Sequence, residues 1–402
     1  MSLDLTSTAL QIDSMAVELK GRNNEKFRRL QTAVDAIGDF DVDAYQDKLE
    51  QSGSSVLWNV PSFTGDPSKS YPPAPIPEDF CVVAVDGSHI DIDRHLPARC
   101  YLINTGTVYL RYGSQSDADL SSQPRLYAEE DELVIRDHNA PYRQQNIDGA
   151  LLGAKRGVEE IKALVHALHN TPKDVPTVGL VDGTLVMFGL QQYPDFVVRE
   201  LVDNGFVSAL EELRQMAAER PLAVGSYISL PRAGEVANAL RLQACPFDVA
   251  ACEQNCGQIP ARERACDKAV GGLIDREIFS DFLDKGHRSS VFKSNHPTVS
   301  RNYQGHGIHF FYVNTGEEIG RVEVPSWVAE NEGSLELVHA LVIDQCRRGP
   351  GYPVALMEAH EQAVVTGVDR RYFVELVEQA LYDQRLPTYS SEKNISKRQK
   401  WI

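Results

Sequence analysis

The stretch that decides the fold reads Cys81-Val82-Val83-Ala84-Val85-Asp86-Gly87-Ser88-His89. A run of small apolar residues that ends in a carboxylate and a glycine predicts a buried strand followed by a turn. The pattern returns at Val178-Gly179-Leu180-Val181-Asp182-Gly183-Thr184-Leu185. Two strands of one sheet can therefore deliver Asp86 and Asp182 to the same edge.

Paired carboxylates at strand ends can hold a divalent metal ion for phosphoryl transfer. The alternative is that each Asp-Gly pair only marks a turn after its strand. A single site of this kind would favour the turn. Two sites, each after an apolar run and each followed by Gly and a hydroxyl residue, favour a metal site.

Composition indicates an ordinary soluble globular protein of 402 residues, with 42% hydrophobic and 24% charged residues. No apolar run approaches the length of a membrane span, and the N-terminus lacks a signal-peptide core. We therefore expect a cytoplasmic protein that does not contact a membrane. The net charge of −17 argues against non-specific nucleic-acid binding. It does not exclude a carboxylate site that meets phosphate after binding a cation.

Apolar periodicity predicts a mixed α/β order of elements. Strands are predicted at 80–87, 99–112 (antiparallel strands around a glycine interruption), 177–182, 222–229, 307–313 and 319–324. Helices are predicted at 147–169, 196–218, 232–243, 273–285, 334–348, after Pro353 and at 370–384. The segment 113–145 is predicted to be mostly irregular, apart from a short stretch around 132–135. In such sheets, ligands gather beyond the carboxyl ends of parallel strands.

The same pattern divides the chain into predicted regions. Residues 1–75 form an N-terminal helical accessory segment and a Pro/Ser-rich linker. Residues 76–375 form the main domain, which carries a Cys-rich insertion at 245–266. Residues 376–402 form the end of the last helix and a polar tail.

A cation site held by two carboxylates needs further ligands, and the helix before Asp182 offers Glu159 and Glu160. On a helical wheel Glu160 lies nearer the apolar stripe that faces the sheet. We prefer Glu160 and keep Glu159 as the alternative, although a single glutamate is more often a solvated surface residue. His360 follows Leu356 by four positions, and a lone histidine there is more often a packed core residue.

These residues resemble the NurA nuclease family, DNA-end-processing enzymes of archaea and bacteria that partner the HerA helicase. The blocks that carry the resemblance span residues 80–365 in the order of the family. They are Val83-Ala84-Val85-Asp86-Gly87-Ser88, the Glu-bearing helix 154–168, Leu180-Val181-Asp182-Gly183-Thr184-Leu185, Ser226-Tyr227-Ile228-Ser229-Leu230-Pro231-Arg232, Phe310-Phe311-Tyr312-Val313-Asn314-Thr315-Gly316, and Tyr352-Pro353 followed by Leu356 and Ala359-His360. Thr184 stands where the family often has Ser, which keeps the hydroxyl.

The resemblance implies an RNase H-like core with a mixed sheet flanked by helices. It implies a Mn²⁺-dependent DNA nuclease, with Mg²⁺ as the other candidate, that digests from the 5′ end and cuts single strands during DNA-end processing and repair. By motif match, the metal-binding and catalytic set is Asp86, a glutamate of helix 154–168, Asp182 and His360, with Tyr352 as an accessory residue. The implied partners are DNA, a HerA-type hexameric helicase and a second copy of the chain.

Four of the seven cysteines fall within the insertion, at Cys245, Cys252, Cys256 and Cys266. Their spacing, C-x6-C-x3-C-x9-C, matches neither the paired CxxC zinc pattern nor a common ferredoxin run. A structural zinc ion or an iron–sulfur cluster is one interpretation, and four unrelated reduced cysteines are the other.

Two other functions compete with the nuclease. A non-catalytic NurA-like scaffold would bind DNA or a motor ATPase without cutting. Competent side chains at all the proposed catalytic positions argue against it. A metal-dependent phosphoesterase for small substrates would explain the two Asp strand ends but not the later sequence blocks.

Overall fold

The computed structural model describes residues 4–91 and 98–386, and its chain forms two compact units. Unit 1 comprises Met1–Pro73, Ser229–His296 and His309–Val322. Unit 2 comprises Ala74–Ile228, Pro297–Ile308 and Glu323–Ile402. Both units draw on the region from 76 to 375, and the predicted domain boundaries stay a prediction.

The strands are β1 Ser62–Phe63, β2 Ser70–Tyr71, β3 Phe80–Ile90, β4 Tyr101–Tyr112, β5 Asp117–Tyr127, β6 Val134–Asp137, β7 Ala140–Asn146, β8 Thr177–Asp182, β9 Leu222–Ile228, β10 Arg288–Ser289, β11 Phe292–Lys293, β12 Ile308–Asn314 and β13 Ile319–Pro325. The helices are α1 Leu5–Gly38, α2 Val42–Ser52, α3 Gly149–His169, α4 Asp195–Val198, α5 Ser208–Glu219, α6 Glu235–Gln243, α7 Cys252–Cys256, α8 Ala265–Val270, α9 Asp275–Phe282, α10 Pro297–Asn302, α11 Ser326–Ala329, α12 Glu332–Arg348, α13 Val354–Ala363 and α14 Gly367–Asp383. A π-helical stretch, Arg199–Val207, joins α4 to α5.

The sheet of unit 2 has the strand order β9-β8-β3-β4-β5. Strand β4 is antiparallel to both β3 and β5, whereas β8 is parallel to both β3 and β9. Three antiparallel strands followed by two parallel ones give the RNase H-like arrangement. The fold class expected from the sequence, a mixed α/β sheet with flanking helices and N-terminal helices, is confirmed.

Helix α3 covers one face of this sheet. Val83 and Val85 of β3 and Val181 of β8 belong to one hydrophobic cluster with Val158 and Ile161 of α3. Because successive side chains of a strand point to opposite faces, Asp86 and Asp182 point away from α3. That opposite face of β3 and β4 is covered by α13.

Unit 1 has its own core. Ala33 and Ile37 of α1 pack in one cluster with Phe279 of α9, Phe292 of β11 and Phe310 of β12. Strand β11 pairs with β1 and β12, and β10 pairs with β2 and β12, all antiparallel. Among the described residues, no helix is long and apolar enough to cross a membrane.

Two predictions of local structure were wrong. The segment 113–145 is not mostly irregular, because it contains β5 and the hairpin of β6 and β7. Strand β5 ends the sheet order, and nearly all its side chains are exposed, so it lacks the apolar alternation by which strands are recognised. The segment 99–112 is one strand, β4, which runs without a break through Gly106.

Candidate active site

Asp86 and Asp182 lie side by side at the carboxyl ends of two parallel strands. The register pairs Val85 with Val181, so the two aspartates are the next residues on β3 and β8. Both point to the face opposite α3, as the alternation of strand side chains requires. The structure therefore brings together the two carboxylates that the Asp-Gly strand ends had suggested.

His360 reaches Asp86 from α13. Its Nδ1 lies 2.8 Å from Asp86 Oδ2, and 56% of its side chain is exposed. It is thus neither a buried core histidine nor distant from the carboxylates. An ionised carboxylate only accepts hydrogen bonds, so Nδ1 carries the proton of this bond. The other ring nitrogen, Nε2, is then the unprotonated one in the neutral ring.

The C-terminal end of α13 is fastened to the strands beneath it. Ser88 Oγ donates a hydrogen bond to the carbonyl oxygen of Ala363 at 2.5 Å, and Asn104 Nδ2 donates to the same oxygen at 2.9 Å. The last carbonyls of a helix have no intrahelical partner. These side chains supply one, and they fix the position of the helix that carries His360.

Gly106 of β4 lets α13 approach this closely. A Cβ atom at Gly106 would lie 2.2 Å from the carbonyl oxygen of Ala359 and 2.6 Å from the amide nitrogen of Ala363. Both atoms belong to the backbone of α13, which cannot move aside as a side chain could. The glycine that had suggested an interruption of the strand is therefore required by packing.

We expect Gly106→Ala to destabilise the protein by about 1–3 kcal/mol, the usual cost of forcing an extra carbon into a packed site. The displacement of α13 should also lower activity through His360. Urea denaturation measures the first effect. Gly153→Ala in α3 is the matched control, since its Cβ would meet open space and alanine there should add about 0.5–1 kcal/mol of stability. An unchanged Gly106→Ala variant would contradict the packing argument.

Glu160, rather than Glu159, approaches the two aspartates. Glu160 is buried, and the charges of Asp86 and Asp182 act on it. A Cβ on Gly87 would lie 2.4 Å from Glu160 Oε1, so the glycine after Asp86 makes room for this carboxylate. Glu159 instead accepts a hydrogen bond of 2.7 Å from Lys155 Nζ.

Arg156 is the nearest cation to Glu160. Its Nε lies 2.9 Å from Glu160 Oε1 in an ion pair one helical turn apart, with 36% of the arginine side chain exposed. The charge of this guanidinium lowers the pKa of Glu160 and offsets part of the cost of burying the carboxylate.

The three carboxylates, Asp86, Asp182 and Glu160, repel one another electrostatically. Burial raises the pKa of Glu160 to about 7; Arg156 lowers it in part, whereas Asp86 and Asp182 raise it further. Burial also raises the pKa of Asp182, against the hydrogen bond from Tyr352, and the charge of Asp86 adds to the rise. Like charges held this close are expected where a divalent cation binds.

The raised pKa of Glu160 predicts a pH-dependent stability. Because the folded-state pKa of about 7 exceeds the ordinary 4.5, this group's stabilisation is full below pH 4.5 and is lost as pH rises to 7. In EDTA, Glu160→Gln should match the wild type near pH 4 and exceed it by up to about 3 kcal/mol at pH 8. Urea denaturation at both pH values measures this, with Glu159→Gln as control. No difference at pH 8 would contradict it.

Tyr352 lies just before α13 and contacts the second aspartate. Its hydroxyl donates a hydrogen bond of 2.8 Å to Asp182 Oδ1. Its ring packs edge-on against Tyr227 of β9, with ring centroids 5.3 Å apart. The register pairs Tyr227 with Asp182 across β9 and β8. Tyr352 thus lies beside Asp182, and its role as an accessory residue stays a prediction.

Sequence reasoning missed the residues that hold the loop after Asp182. The carboxylate of Glu323, on β13 and only 1% exposed, accepts from Thr184 Oγ1 at 2.7 Å and from the amide of Leu185 at 2.8 Å. The hydroxyl of Tyr303 donates to the carbonyl of Leu185 and accepts from the amide of Met187. A lone glutamate in the apolar run of a predicted strand was the available signal.

The donor set suits a hard divalent cation, because carboxylate oxygens are the ligands such ions prefer. Within residues 4–91 and 98–386, however, no three His, Cys, Asp or Glu side chains are placed around a common point that could hold a metal ion. The carboxylates of Asp86, Asp182 and Glu160 face His360, Tyr352 and Arg156 instead. The four cysteines of the insertion lie in unit 1.

Comparisons with known proteins add a family to this geometry. A family model of the NurA domain matches residues 81–365. No curated protein matches the chain.

Among solved structures, Aquifex aeolicus Argonaute matches with 10% identity and a TM-score of 0.26, over 71% of this chain and 28% of its own. Drosophila Piwi matches with 11% identity and a TM-score of 0.24, over 70% of this chain and 29% of its own. LC9-RNase H1, a type 1 RNase H with the type 2 active-site motif, matches with 11% identity and a TM-score of 0.21, over 41% of this chain and 71% of its own. The chain spans less than a third of the first two structures, and likeness at these TM-scores carries no argument about the site.

Proposed function

The chain belongs to the NurA family, and from that premise we propose that it is a metal-dependent deoxyribonuclease that processes DNA ends. The observation that supports the proposal is the set of interactions among Asp86, Asp182, Glu160 and His360, which come from four separate elements of unit 2: His360 contacts Asp86, and the charge of Asp86 acts on both Asp182 and Glu160. The family match covers all four residues. Their chemistry suits phosphodiester hydrolysis, which needs an activated water and a stabilised leaving oxygen.

Asp86, Asp182 and Glu160 are the residues that would hold the metal, for which we propose Mn²⁺, with Mg²⁺ as the alternative. When bound, a divalent ion lowers the pKa of a water and offsets the charge of the phosphate. His360, oriented through Nδ1 by Asp86, keeps Nε2 for proton transfer or for the metal. Tyr352 orients Asp182 through its hydroxyl. Arg156, beside Glu160 and partly exposed, can bind a DNA phosphate.

The finer activity and the partners rest on family membership alone. We propose 5′-to-3′ exonuclease and single-strand endonuclease activity, a homodimer, and cooperation with a HerA-type hexameric helicase in DNA repair. The net charge of −17 makes unaided gripping of DNA weak, because phosphate repels an acidic surface. A motor that holds the DNA would compensate for this.

Cleavage of end-labelled DNA tests the activity. Single- and double-stranded DNA labelled at either the 5′ or the 3′ end is incubated with the full chain in Mn²⁺, Mg²⁺ or EDTA. We expect cutting in Mn²⁺, none in EDTA, and early release of the 5′ label. Cutting in EDTA would contradict the metal site. If no metal supports cutting, even with the partner ATPase added, the protein is a binding scaffold. Hydrolysis of small phosphate esters instead of DNA would favour the phosphoesterase.

A further inference from the structure

The four cysteines of the insertion line one cavity in unit 1. Its wall comprises Cys245, Cys252, Cys256 and Cys266, together with apolar side chains and Arg264. Cys252 and Cys256 are four residues apart on α7, so they share one side of that helix. Residues spread over the whole insertion thus line a single small space.

These thiols do not behave as ordinary core cysteines. All four are reduced, and only Cys266 is buried; the other three are half-buried. A cysteine used as a small apolar residue is usually among the most buried side chains. Partly exposed cysteines that line one cavity are instead typical of metal ligands.

The insertion also has little else to hold it together. Its regular structure amounts to α7, a short 3₁₀ helix at Ala261–Glu263 and the start of α8. Phe247 and Val249 remain largely exposed, and Ala250 is its one fully buried apolar residue apart from Cys266. A segment that buries so little apolar surface gains little stability from its own packing. A bound metal centre would add binding free energy that stabilises the folded insertion.

The placement of the four cysteines favours a cluster over a single ion. In a tetrathiolate zinc site the sulfurs lie about 2.3 Å from the metal and close around it. No three of these side chains, nor of any others in the described parts of the chain, are placed to hold one ion. In a cluster each thiolate binds its own iron, so the four sulfurs stand farther apart than they do around one zinc ion. The cavity that the cysteines line contains about 300 Å³ of unfilled space, part of it open to solvent.

We propose that Cys245, Cys252, Cys256 and Cys266 bind a [4Fe–4S] cluster. Each thiol gives up its proton, and its sulfur binds one iron of the cluster, the Cys-ligated arrangement of such centres. Arg264 lies in the cavity wall, fixed by a hydrogen bond of 2.9 Å from its Nε to the carbonyl of Ile259. Its charge offsets the negative charge of a cluster ligated by four thiolates. The cluster holds the insertion in its fold and takes no part in DNA hydrolysis.

Iron and sulfide analysis of the full chain tests the proposal. The protein is purified without oxygen and reconstituted with sulfide and equal amounts of Fe²⁺ and Fe³⁺, which supply the two ferrous and two ferric ions of a [4Fe–4S]²⁺ cluster. We expect about four iron and four sulfide per chain, a visible absorption band that bleaches on reduction, and a higher unfolding midpoint than that of the metal-free protein. Zinc in place of iron, without sulfide, would overturn the cluster. So would a protein that retains neither metal nor sulfide.

Matched variants assign the ligands. Cys252→Ser and Cys256→Ser should each lose most of the iron and sulfide, whereas Cys100→Ser, outside the insertion, should keep them. Equal loss in Cys100→Ser would overturn the assignment. Asp86→Ala should retain the cluster in full, so this test is independent of the nuclease. The measurement on the wild type also holds if a cysteine variant fails to fold.

Discussion

Replacing Asp86 with alanine should abolish DNA cleavage. Asp86 is the residue on which the site converges: it adjoins Asp182 through the strand register, contacts His360, and acts electrostatically on Glu160. Its removal takes away a metal ligand and the acceptor that orients His360. Metal-assisted stabilisation contributes several kcal/mol to such reactions, so the rate should fall on the order of 10³-fold or more.

The same variant should remain folded. Asp86 makes its hydrogen bonds within the site, and its removal relieves repulsion on Glu160 and Asp182. The labelled-DNA assay in Mn²⁺ measures the rate, fluorescence anisotropy measures DNA binding, and urea denaturation in EDTA measures stability. Asp174→Ala, at an exposed aspartate of the same unit, is the control and should cut normally. A folded Asp86→Ala protein that still cuts at the wild-type rate would end the proposed mechanism.

Glu160→Gln should also inactivate the enzyme, by on the order of 10²-fold or more. The amide has the size of the carboxylate, so it fits the space beside Gly87 but brings no negative charge to a cation. Its neutrality removes the destabilising buried charge at alkaline pH. A variant that is more stable and yet inactive separates a role in catalysis from a role in folding.

Glu159→Gln is the matched control, because the two glutamates are adjacent on α3. Glu159 pairs with Lys155 on the same helix, and neither aspartate of the site is among its hydrogen-bond partners. We expect this variant to cut within about threefold of the wild type. Calorimetric titration with Mn²⁺ gives a second readout. We expect Glu160→Gln to bind Mn²⁺ more weakly than the wild type, and Glu159→Gln to bind it equally well. If Glu159→Gln were the inactive variant, the two assignments would be exchanged.

Local sequence pattern determined much of the fold around the site. The apolar runs before Asp86 and Asp182 are long enough to indicate strands by themselves, and the stripe of α3 indicates a helix that faces the sheet. Because strand side chains alternate and parallel strands end at one edge, two aspartates in equivalent positions meet once the strands pair. The helical period of α3 likewise placed Glu160, rather than Glu159, nearer the apolar stripe that faces the sheet.

Edge strands and backbone contacts were beyond that pattern. Strand β5 has solvent on most of its side chains, so its sequence, Asp117 to Tyr127, has no apolar alternation along its whole length. Gly106 suggested a break in the strand, since a glycine in a strand usually marks an irregularity. Only the approach of α13 to the backbone of β4 shows that the missing Cβ is required by packing.

The sequence by itself determined the two strands that end in Asp86 and Asp182, the helix that carries Glu160 and the spacing of the cysteines, because each depends on neighbours along the chain. The tertiary structure decided that His360 reaches Asp86, that Glu323 holds the loop after Asp182, and that four cysteines line one cavity. Those contacts join residues far apart in sequence. Register and helix packing set them, and neither is encoded in a local period.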